Sequence, residues 1–542
     1  MEEYHVENFG CRASRSDGEA IAAGLRGHGL APALTPDSAQ LVILNTCSVT
    51  AEADRTARAF IRRVHRRNPQ ARIIVTGCYA QRAAREIAAL EGVDAVIGNS
   101  HKALTPQIGA SLAGSPQLIP LAVLTKSSAQ IFVDETFAHS ELASLPFAAD
   151  AHQTRPNLKV QDGCNNRCSF CVIPATRGPS RSVPLQTCLE NVRRFAENGG
   201  QELVLSGINL GRWGHDLSGR DLSGHDLSDR DSGGSNLAPA QNFIDLVTAI
   251  LRETSLPRLR LSSIEPMDWT PALLALVVEY ATGQHPRLAP HAHLPLQSGS
   301  DTILRKMHRR YRPWHYAQRA SDIRAALPDA AIGADVMVGF PGETDALFEE
   351  SYRFIAAQPF TYLHLFPFSP RPGTPGWELH RDHSVPPSAV AARMSALRAL
   401  ADEKAKAFRC RFVGRSLSVV TLEGGSAAQT PALSANFLKV ELAAAVPANQ
   451  MLQAQITAAA DRAFLEARVF PQREPGLLHR NTGKHDILSR YMAAAPQILE
   501  ENPSISVRPS SLSVSMKEFA RVKCASSTTP ESSSAFSPRL KP

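Results

Sequence analysis

From Asn157 the chain alternates a short apolar run with an amphipathic stretch six times, and that rhythm leaves few folds open. The apolar runs are Leu158–Gln161, Glu202–Leu205, Leu259–Ser262, Ala292–Leu296, Ile332–Val338 and Tyr362–Phe366. Helical stretches such as Pro184–Asn198, Phe243–Glu253, Pro271–Tyr280 and Thr344–Ala357 separate them. Successive strand-helix units build parallel sheets, and six of them predict a sheet bent into a partial TIM-type barrel over residues 154–383. Most of the runs end in polar or glycine-bearing segments: DGC, SGIN, SSIEP, PLQSGS, GFPGE and PFSP. Those ends share one edge of such a barrel, the edge where functional groups collect.

The first of these ends carries the densest chemistry. KVQDGCNNRCSFCVIPATRGPSRS places Cys164, Cys168 and Cys171 in a CxxxCxxC spacing, with Phe170 ahead of the last cysteine. Three thiolates so spaced bind three irons of a 4Fe-4S cube and leave the fourth iron open to a small molecule. The competing reading is a zinc knuckle. Zinc sites use cysteine pairs completed by a second pair or by histidines, and no such partner pair follows here.

Residues 1–140 repeat the strand-helix pattern on a smaller scale, as an open parallel α/β sheet. Strands are expected at Tyr4–Phe9, Leu41–Leu44, Ile73–Thr76 and Ala95–Ile97, and helices at Asp17–Gly27, Ala51–Arg67 and Gln81–Leu90. Cys11 follows the first strand in NFGC, Cys47 the second in LNTC and Cys78 the third in VTGC. One such cysteine reads as a small core residue. Three in the same topological position converge on the carboxyl edge of the sheet, which predicts a second metal or iron-sulfur site. On Ala51–Arg67 a stripe of Arg55, Arg58, Arg62 and Arg66 is either a solvated face or a surface for an anion.

The chain has nine cysteines in 542 residues and begins MEEYHVENFG, with no export signal, so ligation or catalysis is favoured over a disulfide framework. No apolar run approaches the roughly 20 residues of a membrane helix, and a cytoplasmic location is expected. The net charge of +7 agrees with an anionic partner without requiring one. Cys188 shares a helical stripe with Leu185, Leu189, Val192 and Phe195 and reads as packing. Cys410 and Cys524 have no neighbouring ligands.

The six-unit pattern with CNNRCSFC after its first strand resembles a radical S-adenosylmethionine domain. NFGC, NTCSVT and TGCYAQR are similar to the N-terminal domain of the methylthiotransferase family. The resemblance implies that Cys164, Cys168 and Cys171 hold a radical-generating 4Fe-4S cluster and that Cys11, Cys47 and Cys78 hold an auxiliary one. It implies S-adenosylmethionine as cofactor, with Phe170, Gly200, Glu202, Ser263 and Glu265 as cofactor-binding residues; no side chain is singled out as catalytic. NTCSVTAEAD, LSSIEP, HLPLQSGSDTILRKMHRRY and FPFSPRPGTP look most like the branch acting on threonylcarbamoyladenosine in tRNA. The implied reaction adds a methylthio group to carbon 2 of that nucleoside beside the anticodon, with an electron donor and a sulfur source as further partners. The alternatives are the same chemistry on isopentenyladenosine or on a ribosomal-protein aspartate, or a non-catalytic iron-sulfur or zinc protein that binds RNA. The chain departs from its relatives at Arg15, where an amide side chain is common, which bears on substrate contact and not on cluster ligation.

Three further segments complete the reading. Residues 215–234 form a polar five-residue repeat, expected to be a solvated loop. Arg305, Lys306, His308, Arg309, Arg310, Tyr311, Arg312 and Trp314 mix basic and aromatic groups suited to phosphates and unstacked bases, or else make an ordinary surface helix. Residues 384–412 read as a helical connector and 413–470 as a small β-barrel, similar in position to an RNA-binding TRAM domain. Residues 471–542 read as a mostly disordered tail.

Overall fold

The computed structural model describes residues 2–114, 129–137, 154–217, 241–283, 285–460 and 464–469. Most of the 215–234 repeat and the tail expected at 471–542 lie outside the described residues, as do residues 140–153, whose sequence reads as a linker.

The N-terminal sheet is all parallel, in the order β2-β1-β3-β4-β5-β6. Its strands are β1 (Glu3–Asn8), β2 (Ala31–Pro32), β3 (Leu41–Thr46), β4 (Arg72–Gly77), β5 (Val93–Gly98) and β6 (Gln130–Phe132). LVILNT in β3 is buried at every position because helices cover both faces, as the unbroken apolar run requires. Helices Arg12–Gly27 and Thr105–Ala113 pack one face through Ile21, Leu25, Ile43 and Ile74. Helix Ala51–Arg67 packs the other through Phe60, Ile61 and Val64, with Thr50 capping it by accepting from Ala53 N. Each such apolar side chain taken fully out of water contributes about 1.5–3 kcal/mol.

The central strands are β7 (Asn157–Asp162), β8 (Arg181–Ser182), β9 (Glu202–Gly207), β10 (Arg258–Leu261), β11 (His291–His293), β12 (Ala331–Val338) and β13 (Tyr362–Pro367). They run as β10-β9-β7-β8 and β11-β12-β13, and a parallel bridge from Leu259 to Leu288 joins the two groups. Six parallel strands thus form the partial barrel expected, with short antiparallel β8 at one edge. β11 is short, but backbone bonds to β12 continue past it, Leu294 N donating to Gly333 O at 2.9 Å and Leu296 N to Asp335 O at 3.1 Å. Ile332, Ala334, Val336 and Val338 point to the helices, so Gly333, Asp335 and Met337 line the lumen. Their cross-strand partners Tyr362, His364 and Phe366 line it too.

Helix Pro387–Cys410 leads to a closed five-stranded barrel, β14 (Ser416–Thr421), β15 (Thr430–Ser434), β16 (Lys439–Leu442), β17 (Met451–Ala459) and β18 (Leu465–Val469), ordered β14-β15-β16-β18-β17. It seals the amino ends of the central strands. Arg258 Nη2 donates to Ser418 Oγ at 2.5 Å and Arg260 Nη2 to the Ser434 carbonyl at 3.1 Å, while the Phe437 ring packs, tilted, against His291 and Tyr362. β15 is the strand sequence alone does not mark, since Pro431 interrupts it. Among the described residues no helix is long and apolar enough to cross a membrane.

Candidate active site

The direction of winding reverses between β1 and β3, and ligands of open α/β sheets bind in the crevice such a reversal leaves at the carboxyl ends. Cys11 caps helix Arg12–Gly27 directly after β1, and Cys47 follows β3 directly, so the two flank that crevice. Cys78 opens the helix after β4. The β1 loop lies hard against Cys47: a Cβ added at Gly10, where φ is +128°, would stand 2.7 Å from Cys47 Cβ. Burial, reinforced by the neighbouring Cys78 and Cys11, pushes the Cys47 thiol up to about 12. Val49 N lies 3.5 Å from Cys47 Sγ, Asn99 Nδ2 lies 3.4 Å from Cys78 Sγ, and Ser14 Oγ lies 3.6 Å from Cys11 Sγ.

At the carboxyl end of β7 the second cysteine group is similarly supplied with donors. Asn166 N lies 3.4 Å from Cys164 Sγ, Ile173 N 3.5 Å from Cys171 Sγ and Arg309 Nη1 3.2 Å from Cys168 Sγ. Asn209, just past β9, adds Nδ2 at 3.7 Å from Cys164 Sγ. Ser169 pins the loop from behind, donating through N to Met307 O at 3.1 Å and through Oγ to Lys306 O at 2.7 Å. Burial raises Cys164 and pushes Cys171 to about 12. Thiols this reluctant to ionise become thiolates when positively charged iron binds, and N–H donors aimed at sulfur suit the cluster that results. Both groups therefore fit a cubane held by three cysteines.

Arg177 joins them. It ends the short helix after Cys171 and is buried, donating from Nη1 to both Asp162 oxygens at 2.9 Å. From Nη2 it reaches Asp17 at 3.1 Å and Ser14 Oγ at 3.2 Å in the N-terminal domain. Lys102 meets Asp17 at 2.6 Å, and Lys159 pairs with both Asp17 and Asp162. Burial alone would lower the basicity of Arg177, but Asp162, Cys78, Asp17 and Cys11 raise it well above its ordinary value. Its charge thus acts on Cys78 and Cys11 from a helix that belongs to the other loop. Asn99 spans the same gap, donating to Thr176 O at 2.7 Å.

Beside Cys168 a small open cleft is lined by Asn166, Glu265, Asp268 and Arg309 among others. Glu265 accepts from Arg309 Nη2 at 2.5 Å, which ties it to the cysteine loop. Ser263 Oγ lies 2.7 Å from His293 Nδ1 inside the lumen, and Phe170 packs against Met307, Met337 and Phe340. These three expected cofactor residues thus stand at the carboxyl edge or in the lumen below it. Gly200 and Glu202 do not, and the structure corrects that expectation. Both stand at the amino end of β9, roughly 17 Å of strand away from its carboxyl end. Gly200 is needed there because a Cβ would fall 2.3 Å from the Phe195 ring. Glu202 is fully buried among Arg155, Arg258 and Arg260, with oxygens 2.7, 3.2 and 2.7 Å from their nitrogens.

Midway up the lumen, His293, Asp335 and His364 bring their ligand atoms within 4.8 Å of one another, a donor set able to hold a transition metal. Asp335 Oδ1 lies 3.4 Å from His293 Nε2 and 3.2 Å from His364 Nδ1. Sequence reading missed these three; the period-2 placement of His291 and His293 in one strand and of Tyr362 and His364 in another was the available signal.

The basic-aromatic stretch divides. Arg309 and Tyr311 turn inward, Tyr311 donating to Leu296 O at 2.7 Å, while Arg305, Lys306, His308, Arg310 and Trp314 face solvent. On helix Ala51–Arg67, Arg55, Arg58 and Arg67 pair with Glu52, Glu86 and Asp37. Arg62 and Arg66 are exposed and have no ion-pair partner among the described residues. Cys188 is buried in the central core as expected.

Residues 3–98 match the uncharacterized protein family UPF0004, and residues 158–355 match the radical SAM superfamily. The threonylcarbamoyladenosine tRNA methylthiotransferase MtaB of Aquifex aeolicus is 32% identical over 77% of this chain and 92% of its own length. Its Bacillus subtilis counterpart is 32% identical over 77% and 84%. The tRNA-2-methylthio-N(6)-dimethylallyladenosine synthase of Erythrobacter litoralis is also 32% identical, over 78% and 87%. Among solved structures, the radical S-adenosylmethionine methyltransferase TsrM from Kitasatospora setae aligns with a TM-score of 0.46 at 15% identity, covering 69% of this chain and 77% of that one. With relatives this similar over most of both chains, the chain belongs to the radical SAM superfamily and, within it, to the methylthiotransferases.

Proposed function

We propose that this enzyme adds a methylthio group to carbon 2 of N6-threonylcarbamoyladenosine next to the anticodon of tRNA. Cys164, Cys168 and Cys171 would hold the 4Fe-4S cluster that binds S-adenosylmethionine, and Cys11, Cys47 and Cys78 a second cluster that carries the sulfur. The observation that supports the reading is Arg177, which follows the Cys164–Cys171 loop and ties it, through one buried ionic network with Asp162 and Asp17, to the surroundings of Cys11 and Cys78. When bound, the first cluster and its cofactor supply a radical able to remove a carbon-bound hydrogen; this chain's residues hold and shield the reactants.

Each side chain has a part in that. Asn166, Asn209 and Arg309 direct donors at the thiolates of the first loop, and Val49 and Asn99 at those of the second. Glu265, Ser263 and Phe170 would position S-adenosylmethionine at the carboxyl edge. The anticodon loop presents an unstacked base, which such a recessed site reaches and a duplex would not offer. Exposed Arg62 and Arg66, together with Lys306, Arg310 and Trp314, give the RNA phosphates and bases cationic and aromatic surface. The C-terminal barrel would serve as a TRAM-like RNA-binding module. Electron donor and sulfur source are partners the reaction requires.

The threonylcarbamoyl branch is favoured by the Aquifex and Bacillus relatives, while the Erythrobacter relative, at the same identity, favours isopentenyladenosine as the second reading. Nucleoside mass spectrometry of tRNA from a deletion strain tests this. Loss of the methylthio form of threonylcarbamoyladenosine is expected; loss of the isopentenyl form instead would refute the substrate assignment.

A further inference from the structure

The middle of the lumen holds three side chains that the proposed reaction does not use. β11, β12 and β13 are neighbours, and their register sets His293 opposite Gly333 and Asp335 opposite His364. Positions two residues apart share a face, so His293, Asp335 and His364 enter the lumen from three adjacent strands. Gly333 lets the Tyr362 ring lie across β12, since a Cβ there would overlap it. That ring stacks on His293, with centroids 5.9 Å apart and planes 16° from parallel, and fixes the imidazole from one side.

The two ring nitrogens of buried His293 are treated differently. Nδ1 lies 2.7 Å from Ser263 Oγ, just past β10. Nε2 makes no hydrogen bond among the described residues, although Asp335 Oδ1 stands 3.4 Å from it. His364 Nδ1 lies 3.2 Å from the same carboxylate oxygen. With the Nδ1 proton donated to Ser263, Nε2 turns a lone pair toward Asp335. Two acceptors so placed repel, and a cation between them removes the repulsion. A hydrogen bond at the far ring nitrogen is also what sets the tautomer and orientation of a metal-ligating histidine.

The spacing narrows the choice of cation. Ligands about 2.0–2.1 Å from a tetrahedral ion stand about 3.4 Å from one another. The two N···O separations, 3.4 and 3.2 Å, agree with that, and the three ligand atoms all lie within 4.8 Å of one another. Calcium takes six to eight oxygens and magnesium is held through carboxylates and water, so neither suits a set with two imidazoles. Two imidazoles and one carboxylate suit zinc and its first-row neighbours.

We propose that His293 Nε2, Asp335 Oδ1 and His364 Nδ1 bind one divalent metal ion of zinc's class, a centre separate from both cysteine groups. Three protein ligands leave a fourth position, which water fills in the resting protein. His364, with 55% of its side chain exposed, gives the ion a way in. All three ligands stand on strands, so the donor set is held by the barrel itself and not by a loop. The inference does not depend on which nucleoside the enzyme modifies.

The test uses the full chain, reconstituted anaerobically so that iron fills the cysteines, washed with EDTA and then given one equivalent of Zn2+ alone. Elemental analysis after desalting is expected to find about one zinc per chain, and X-ray absorption at the zinc edge to show nitrogen and oxygen at about 2.0–2.1 Å without sulfur. Asp335→Asn and His364→Ala should each weaken zinc binding by more than about tenfold, since even an outer partner of a ligand is worth that much. Their iron content should stay that of wild type, which also shows that they fold. No retained zinc in wild type would overturn the inference. So would zinc bound through sulfur at about 2.3 Å, which would put the ion on the cysteines. Neither result needs a variant to fold, and undiminished affinity in both variants would overturn it as well.

Discussion

Arg177 and Asp17 meet at 3.1 Å although 160 residues separate them, and neither side chain is accessible to water. Asp17 also holds Lys102 and Lys159, so one carboxylate anchors cations from both domains. Removing one partner of a buried pair leaves the others uncompensated. Asp17→Asn and Arg177→Met should each lower stability by about 3–5 kcal/mol. The double variant should lose less than the sum, because the two share one network. Urea unfolding midpoints check both statements; additive losses would mean the two act independently.

The floor of the central barrel has its own electrostatic dependence on pH. Burial by itself would raise the Glu202 carboxyl, but Arg260, Arg155 and Arg258 outweigh it and hold the group at about 2. The sign follows from linkage. A carboxyl depressed in the folded state stabilises fully above its unfolded value of about 4.3 and loses that contribution as pH falls toward 2. Asp17 and Asp162 are depressed in the same direction by their cations and add to the effect. Thermal scans should therefore show Tm falling between about pH 5 and pH 2, and Glu202→Gln should flatten that slope.

The two cysteine groups should separate experimentally. With both cubes present the reconstituted protein holds about eight irons per chain. Cys168→Ala should lose about half of them and all cleavage of S-adenosylmethionine. Cys47→Ala should lose the other half, keep cleavage and stop sulfur insertion. Iron analysis with 5′-deoxyadenosine and RNA product assays reads all three; RNA product from Cys47→Ala would refute the assignment of the auxiliary site.

Arg309 places a guanidinium nitrogen 3.2 Å from Cys168 Sγ while its other arm is held by Glu265. A positive charge beside a cluster ligand favours the reduced state. Arg309→Gln should lower the reduction potential of that cluster, by an amount on the order of tens of millivolts. A redox titration followed by electron paramagnetic resonance measures this, and an unchanged potential would show that Arg309 only positions Glu265.

Much of this molecule was readable before its coordinates. Ala51–Arg67 and Phe243–Glu253 have the boundaries their patterns predict, since amphipathic period and capping agree in both. All six cysteines of interest stand at strand ends because an apolar run ending in a polar turn marks that edge whichever fold surrounds it. Glu202, which the resemblance implied as a cofactor residue, fails for the converse reason: it opens its strand and so belongs to the opposite end of the barrel. The reach of Arg177 into the N-terminal domain was not legible at all, and of the histidines around Asp335 only the period-2 spacing could be read. Their partners lie 150 or more residues away or across a ladder whose register only the folded sheet supplies, and a single sequence holds no record of such pairs.

The C-terminal barrel, with Phe437 against Tyr362 and Ser434 on Arg260, gives the central barrel a bottom. With that end closed, the carboxyl side, past the cysteine loops, becomes the way in. A long polymer lying over that side would act as a stopper, so that small molecules bound beneath it would be loaded first and their fragments would leave when it lifts. A small barrel docked at the amino ends thus constrains events at the opposite edge.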